Sequence, residues 1–245
     1  MTHVDLNLLA LDTSTDQLSV AVQRADGQRF AHTGAGGAQA SASLIPAVQA
    51  LLAQAGLSLS DLRAIAFGRG PGSFTGLRTA CAVAQGLAFG AKGGQGVPVL
   101  PVDTLLAVAE EARHQHGLTQ VVAVLDARMD EVYTAPFQFD GHRWSAPGDF
   151  GLLAPEHIEV PAGWALAGNA DAAYPGRIAP AVPAAARVGV LPTASALLRL
   201  APALLAAGQA VPADQALPRY IRDKVAKTTQ ERADERLAQA TAGLA

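Results

Sequence analysis

The chain has 245 residues, half of them apolar and only 16% charged, which is enough to bury a sizeable core and excludes a disordered chain. Its formal net charge is -3. It therefore lacks the basic excess with which proteins that hold nucleic acid alone neutralise phosphate, and any role near RNA is expected to be indirect. Cys81 is the only cysteine, which excludes an intramolecular disulfide and a cysteine metal cluster, and its Ala/Gly-rich surroundings predict a buried small apolar residue. MTHVDLN has no basic segment followed by an apolar one, and the run Ala80 to Ala91 is too short and Gly-rich to span a bilayer. A cytoplasmic protein without membrane contact is expected.

In chain order, Leu6 to Leu11 is an apolar run ending at Asp12, and Leu18, Val20 and Val22 then alternate as in a half-buried strand. Asp26-Gly27 signals a hairpin leading to a third strand over Arg29 to Thr33. Residues 41–55 form a helix with Leu44, Val48, Leu51 and Ala55 on one face, Gly56 as its stop and Pro46 in its first turn. A strand over Arg63 to Phe67 precedes GRGPGSFTG, a Gly-rich loop that opens a helix capped by Ser73. Val97 to Pro101 reads as a strand and Val102 to His116 as a helix capped by Asp103. Gln120 to Leu125 and Glu131 to Phe139 are strands around a turn. After Gly141 the pattern weakens until a helix over Thr193 to Ala207 and a charged tail from Arg219, expected to be an extension outside the core.

Two segments half a chain apart match: LLALDTSTDQLSVAV from Leu8 and AVLDARMDEVYTA from Ala123. Both read as strand, D-x-x-x-D turn and alternating strand, which points to two related halves. A duplicated unit of this kind resembles the actin, Hsp70 and sugar-kinase superfamily, implying an α/β fold of two ribonuclease-H-like halves. In that superfamily the two turns cradle phosphates, and backbone amides must come close to do so. Here the turns are Asp12, Thr13, Ser14, Thr15 and then Asp126 to Asp130 with Arg128, and neither contains glycine. They read as degraded phosphate turns with no nucleotide cofactor.

The sequence offers no complete catalytic constellation. The six histidines include no pair three or four residues apart, and no H-E-x-x-H, G-x-S-x-G or Walker A motif occurs. No metal site is expected. Residues 73–90 carry one charge, Arg78, and Gly76, Ala80, Ala84 and Ala88 form a stripe of small residues that lets another helix approach closely. Such a helix is buried inside the fold or against a partner. If the stripe meets a partner, Ala80→Leu should weaken pairing and leave the monomer's stability unchanged.

GRGPGSFTGLRTACAVAQGLAFG (68–90), with the two duplicated segments, PVDTLLAVA (101–109) and PRYIRDKVA (218–226), resembles the TsaB (YeaZ) family along nearly the whole chain. The resemblance implies two actin-like (ASKHA) domains, 1–102 and a shortened 103–218, followed by a charged tail at 219–245. It implies a non-catalytic subunit needed to place threonylcarbamoyl on adenosine 37 (t6A37) of tRNAs reading codons that begin with adenine. Its partners would be the catalytic paralogue TsaD, whose metal-binding H-x-x-x-H is absent here, and the ATPase TsaE. The tRNA would be reached through the complex, and the chain alone would pair with itself through the same helices. Onto this sequence the implied interface maps as Leu44, Ala47, Val48 and Leu51 on one helix. On the other it maps as Ser73, Phe74, Thr75, Gly76, Arg78, Thr79, Ala80, Val83 and Ala84. Two alternatives stand beside this one: a small-molecule kinase or ATPase of the same superfamily, and a disfavoured glycoprotease-like metallopeptidase.

Overall fold

The alternating residues near the start of the chain form a hairpin of β1 (Leu8–Asp12) and β2 (Gln17–Gln23), extended by β3 (Arg29–Ala35). The computed structural model describes residues 6–222. Helix α1 (Ala40–Ala55) leads to β4 (Ala64–Gly70), and α2 (Phe74–Gly90) leads on to β5 (Val99–Asp103). β4 runs parallel to β1 and β5 parallel to β4, giving the order β3-β2-β1-β4-β5. Helix α3 (Thr104–His116) connects to a second sheet.

That sheet repeats the plan. β6 (Gln120–Arg128) pairs antiparallel with β7 (Glu131–Phe139), which carries β8 (Trp144–Ser145) and β9 (Gly151–Leu153). β10 (Ala165–Gly168) lies parallel on the other side of β6, as β4 does on β1. The short helix α4 (Ala170–Ala173) and β11 (Arg187–Val188) follow, then α5 (Ala194–Ala206). After β4 the helix has 17 residues, whereas α4, in the matching place after β10, has 4. The architecture is two actin-like halves with the second abbreviated.

Period-two alternation sends the side chains of β1 and β2 to two different cores. Leu9, Leu11, Leu18, Val20 and Val22 pack under α1 and α2. Leu8, Ala10 and Ala21 pack under α5, which returns to the first sheet although it follows β11 in the chain. α3 lies between α5 and the second sheet. Its buried Glu110 accepts from Arg113, Arg199 and the Trp144 indole, at 2.8, 2.8 and 3.0 Å. Burial alone would raise this carboxyl, but these bonds outweigh it and hold the group below the usual glutamate range. One buried carboxylate thus ties α3, α5 and β8 together.

The structure corrects four expectations. Pro46 lies well inside α1, because a 3-10 turn over Gly37–Gln39 starts the helix early; its ring faces solvent. Asp103 stands at the N-cap of α3 but makes no side-chain cap, since Arg69 and Arg219 take its carboxylate at 2.7 and 3.2 Å. The charged tail begins as folded structure: the Arg219 amide donates to the Arg69 carbonyl at 2.7 Å, and Arg222 is buried. The rest of that tail lies outside the described residues.

The fourth correction concerns the small-residue stripe. Gly76, Ala80, Ala84 and Ala88 are buried, the three alanines in one core cluster with Leu9, Leu11 and Phe67. Leu44, Val48 and Leu51 of α1 belong to the same cluster. The stripe allows close approach, as its residue sizes imply, but what it approaches is the chain's own sheet. Ala80→Leu is therefore expected to destabilise the monomer by about 1–3 kcal/mol through overpacking. Urea denaturation of the full chain would show this as a lower midpoint, and an unchanged midpoint would return Ala80 to the surface.

Candidate functional site

The turn after β1 is built by its first aspartate. Asp12 Oδ1 accepts from the Ser14 amide at 2.9 Å and from the Ser14 hydroxyl at 2.6 Å, which closes an Asx turn. The turn after β6 has the same bond, from the Arg128 amide to Asp126 Oδ1 at 2.8 Å. The sequence repeat thus extends to single hydrogen bonds. In both turns an amide available for phosphate in a working cradle is consumed by the turn's own aspartate.

Other groups of the first turn are consumed by α2. Thr13 Oγ1 donates to the Gly76 carbonyl at 2.7 Å, and the Ser73 amide donates to the Ser14 carbonyl at 2.8 Å. Ser73 also caps α2 by accepting from the Gly76 amide. A Cβ at position 76 would overlap the Thr13 carbonyl oxygen, so only glycine lets the helix sit this close.

Between the two turns is a cleft of about 260 Å³, lined by Ser14, Thr15, Asp16, Ser73, Arg128 and Arg222 among others. Arg128 reaches across this open cleft. Its guanidinium lies 2.7 Å from Asp16 of the first turn and 3.1 Å from Asp126 of the second. Arg222 closes the base, donating to the Ala127 carbonyl at 2.9 Å and pairing with Glu131 at 2.6 Å. Arg128, Met129 and Asp130 all have positive φ, and the β6–β7 register shifts between Asp126 and Arg128. Among the described residues no group of three or more His, Cys, Asp or Glu could hold a metal ion.

The outer face of the helix pair is the second notable feature. α1 has no charged residue, and the exposed positions of α2 include Thr75, Arg78, Ala82, Gly86 and Phe89. Thr79, Val83, Phe74 and Ala47 are half-buried, and Ser73 is exposed. Tyr220 stacks on Phe74 at 4.8 Å and accepts from Arg78 at 3.3 Å. Phe89 on α2 and Ile45 on α1 are 73% and 43% exposed, and Leu217, on the segment after α5, is 67% exposed. Of the residues implied to form an interface, the structure brings Ala47, Ser73, Phe74, Thr75, Arg78, Thr79 and Val83 to this side. Ala82 and Gly86 are exposed on the same helix, and Leu217 on the segment after α5. Gly76, Ala80, Ala84 and Ala88 form the buried stripe, and residue size alone does not say whether such a stripe meets the chain's own sheet or a partner.

The family model of TsaD, tRNA N6-adenosine threonylcarbamoyltransferase, matches residues 35–242. The tRNA threonylcarbamoyladenosine biosynthesis protein TsaB of Escherichia coli (strain K12) is 37% identical over 229 residues, which is 90% of this chain and 96% of that protein. The chain belongs to the TsaB family. The TsaB of Haemophilus influenzae is 45% identical over 129 residues, 53% of this chain and 52% of that one. Among solved structures, YeaZ from Pseudomonas aeruginosa superposes with a TM-score of 0.80 at 42% identity, covering 88% of this chain and all of that one. Another Pseudomonas aeruginosa structure with the same score and identity is described as an uncharacterised protein with similarity to peptidase YeaZ. None of the described helices is long and apolar enough to cross a membrane.

Asp12 offers a test of how tightly the first turn is packed. Its Oδ2 is buried without a partner against Gly68, where a Cβ would collide with it. Burial raises the carboxyl from 3.8 to about 6, against the lowering bonds from Ser14. The folded state therefore holds the proton more tightly than the unfolded chain does. The stability Asp12 contributes is full below about pH 4 and is lost as pH rises through about 6. The difference amounts to about 3 kcal/mol. Asp12→Asn should remove this pH dependence, so that its stability relative to wild type improves by up to about 3 kcal/mol between pH 4 and pH 7. Denaturation curves across that range check this; a difference that stays constant with pH would show that Asp12 keeps its ordinary pKa.

Proposed function

We propose that this chain supports formation of N6-threonylcarbamoyladenosine in tRNA as a non-catalytic partner of a TsaD-type threonylcarbamoyltransferase. The observation that carries this reading is the match over 96% of a protein named for that pathway. Two structural features support it. In each turn the aspartate takes one backbone amide, and Arg128 is already paired with Asp16 and Asp126, which favours a subunit without its own nucleotide chemistry. The exposed face of α1 and α2 is almost free of charge and carries large apolar side chains, which suits a protein interface.

In this reading the interface uses Ala47, Ser73, Phe74, Thr75, Arg78, Thr79 and Val83, with Ala82 and Gly86 beside them. Leu44, Val48, Leu51, Gly76, Ala80 and Ala84 support it from inside. The same face serves self-pairing when the chain is alone, a TsaE-type ATPase joins the assembly, and tRNA is met through the catalytic subunit, with adenosine 37 as the modified base. The domain division at 102 and 218 is retained as a proposal, with α5 and the segment after it contributing to the first half by packing. Turns without glycine weigh against a kinase.

Ala82 is exposed near the middle of α2, so arginine there is tolerated by the folded chain and places a charge in a dry contact. Ala82→Arg should leave the melting temperature within a degree or two of wild type, abolish co-purification with the TsaD-type subunit and remove tRNA modification in a reconstituted assay. Full pairing and modification by this variant would remove the helix face from the interface.

A further inference from the structure

On the face of the first sheet opposite α1 and α2, a cavity of about 350 Å³ opens between β3, the end of α3 and the start of α5. Its wall comes from three distant parts of the chain: Arg29 and Thr33 on β3, Glu111 and His114 on α3, and Ser195 and Arg199 on α5. None of these residues belongs to the cleft or to the helix pair.

The cavity is open to solvent: its acidic acceptors are engaged within the protein, whereas Arg29, Thr33 and His114 are exposed and present donors without protein partners among the described residues. Glu111 accepts from Thr193, lies 2.8 Å from Arg199 and accepts from Gln115 at 2.9 Å. Glu110, just behind, is taken by Arg113, Arg199 and Trp144. Ser19 accepts from the Ala194 amide at 2.9 Å. By contrast, Arg29 spends only its Nε, on Gln23 at 2.8 Å, and its terminal nitrogens have no acceptor among the described residues. The Thr33 and Ser195 hydroxyls and the His114 ring likewise have no hydrogen bond there, and Nη2 of Arg199 is fully buried without one. That nitrogen is within ion-pair distance of Glu111, but it points off the hydrogen-bonding direction.

The charges point the same way. Arg29, Arg113 and Arg199 face Glu110 and Glu111, leaving one cation in excess. Arg29 is disfavoured as a cation by its partial burial and then by Arg199 nearby. An oxyanion would relieve that repulsion and satisfy the free donors, with a guanidinium fork suited to a carboxylate or a phosphate.

We propose that this cavity is a binding site for a small oxyanion, a carboxylate or phosphate group, held by Arg29, His114, Thr33 and Ser195 with Arg199 at its base. The site lies away from the partner face, so its ligand binds the free chain and the complex alike. It also joins the edge strand β3 to the α3–α5 layer, which gives the ligand a stabilising effect on that edge.

Backbone amide NMR of the full-length chain, titrated with inorganic phosphate or with malonate at constant ionic strength made up with chloride, tests this. The proposal expects saturable shifts in residues 29–33, 111–116 and 193–199 for at least one of the two anions, and the stronger binder identifies the ligand's head group. Arg29→Gln should weaken that binding about tenfold, while Arg63→Gln, at an exposed arginine outside the cavity, should leave it unchanged. Three results would each overturn the site: shifts that chloride reproduces, shifts confined to the cleft around Asp16 and Arg128, or unchanged affinity in folded Arg29→Gln.

Discussion

The contact on which the rest of the structure depends is the approach of α2 to the turn after β1. Gly76 has no side chain to hold the helix off, and Thr13 and Ser14 meet the helix start through two hydrogen bonds. Three consequences follow from this one contact. It turns Ala80, Ala84 and Ala88 onto the sheet, where they complete the core beneath α1. It rotates Thr75, Ala82 and Gly86 outward, beside the exposed Arg78 and Phe89. It also occupies groups of the first turn that would otherwise be available to a ligand.

The second half answers this arrangement. Its own turn sends Arg128 across to Asp16, and the segment after α5 runs back between the halves. Within a few residues Ala216 accepts from Cys81 and Gln85 on α2, Arg219 lies over Phe150 and pairs with Asp103, and Arg222 holds the second turn. The Arg128–Asp16 pair is exposed and screened by solvent, so it contributes little to stability. Its effect is to join the two turns across the cleft.

How much of this was legible in the sequence depended on the range of the contact. The hairpins and the duplicated turns could be read because alternation and D-x-x-x-D are local patterns, and the shared Asx bonds show that the match was physical. The Ser73 cap and the burial of Cys81 were local in the same sense. The orientation of α2 was not legible. Thr13 is far from Gly76 in sequence, and a small-residue stripe looks the same whether it meets the chain's own sheet or a partner until that contact is known. The burial of Glu110 and Glu111 has no local signal, because Arg199, their partner, lies on α5. Nor did any local signal show that α5 crosses back to the first sheet or that Arg219 starts a packed segment, since both depend on partners far along the chain. Of the residues the family resemblance assigned to a partner, Leu44, Val48, Leu51, Gly76, Ala80 and Ala84 are buried within the chain itself.

The central claim is that the turns flanking the actin-like cleft are satisfied by the chain's own residues, so that the cleft alone does not hold a nucleotide. Isothermal titration calorimetry of the full-length chain with Mg-ATP tests it most directly. The account predicts no saturable heat at any concentration near physiological ATP. A saturable micromolar site, weakened when Thr13 or Arg128 is replaced, would contradict it.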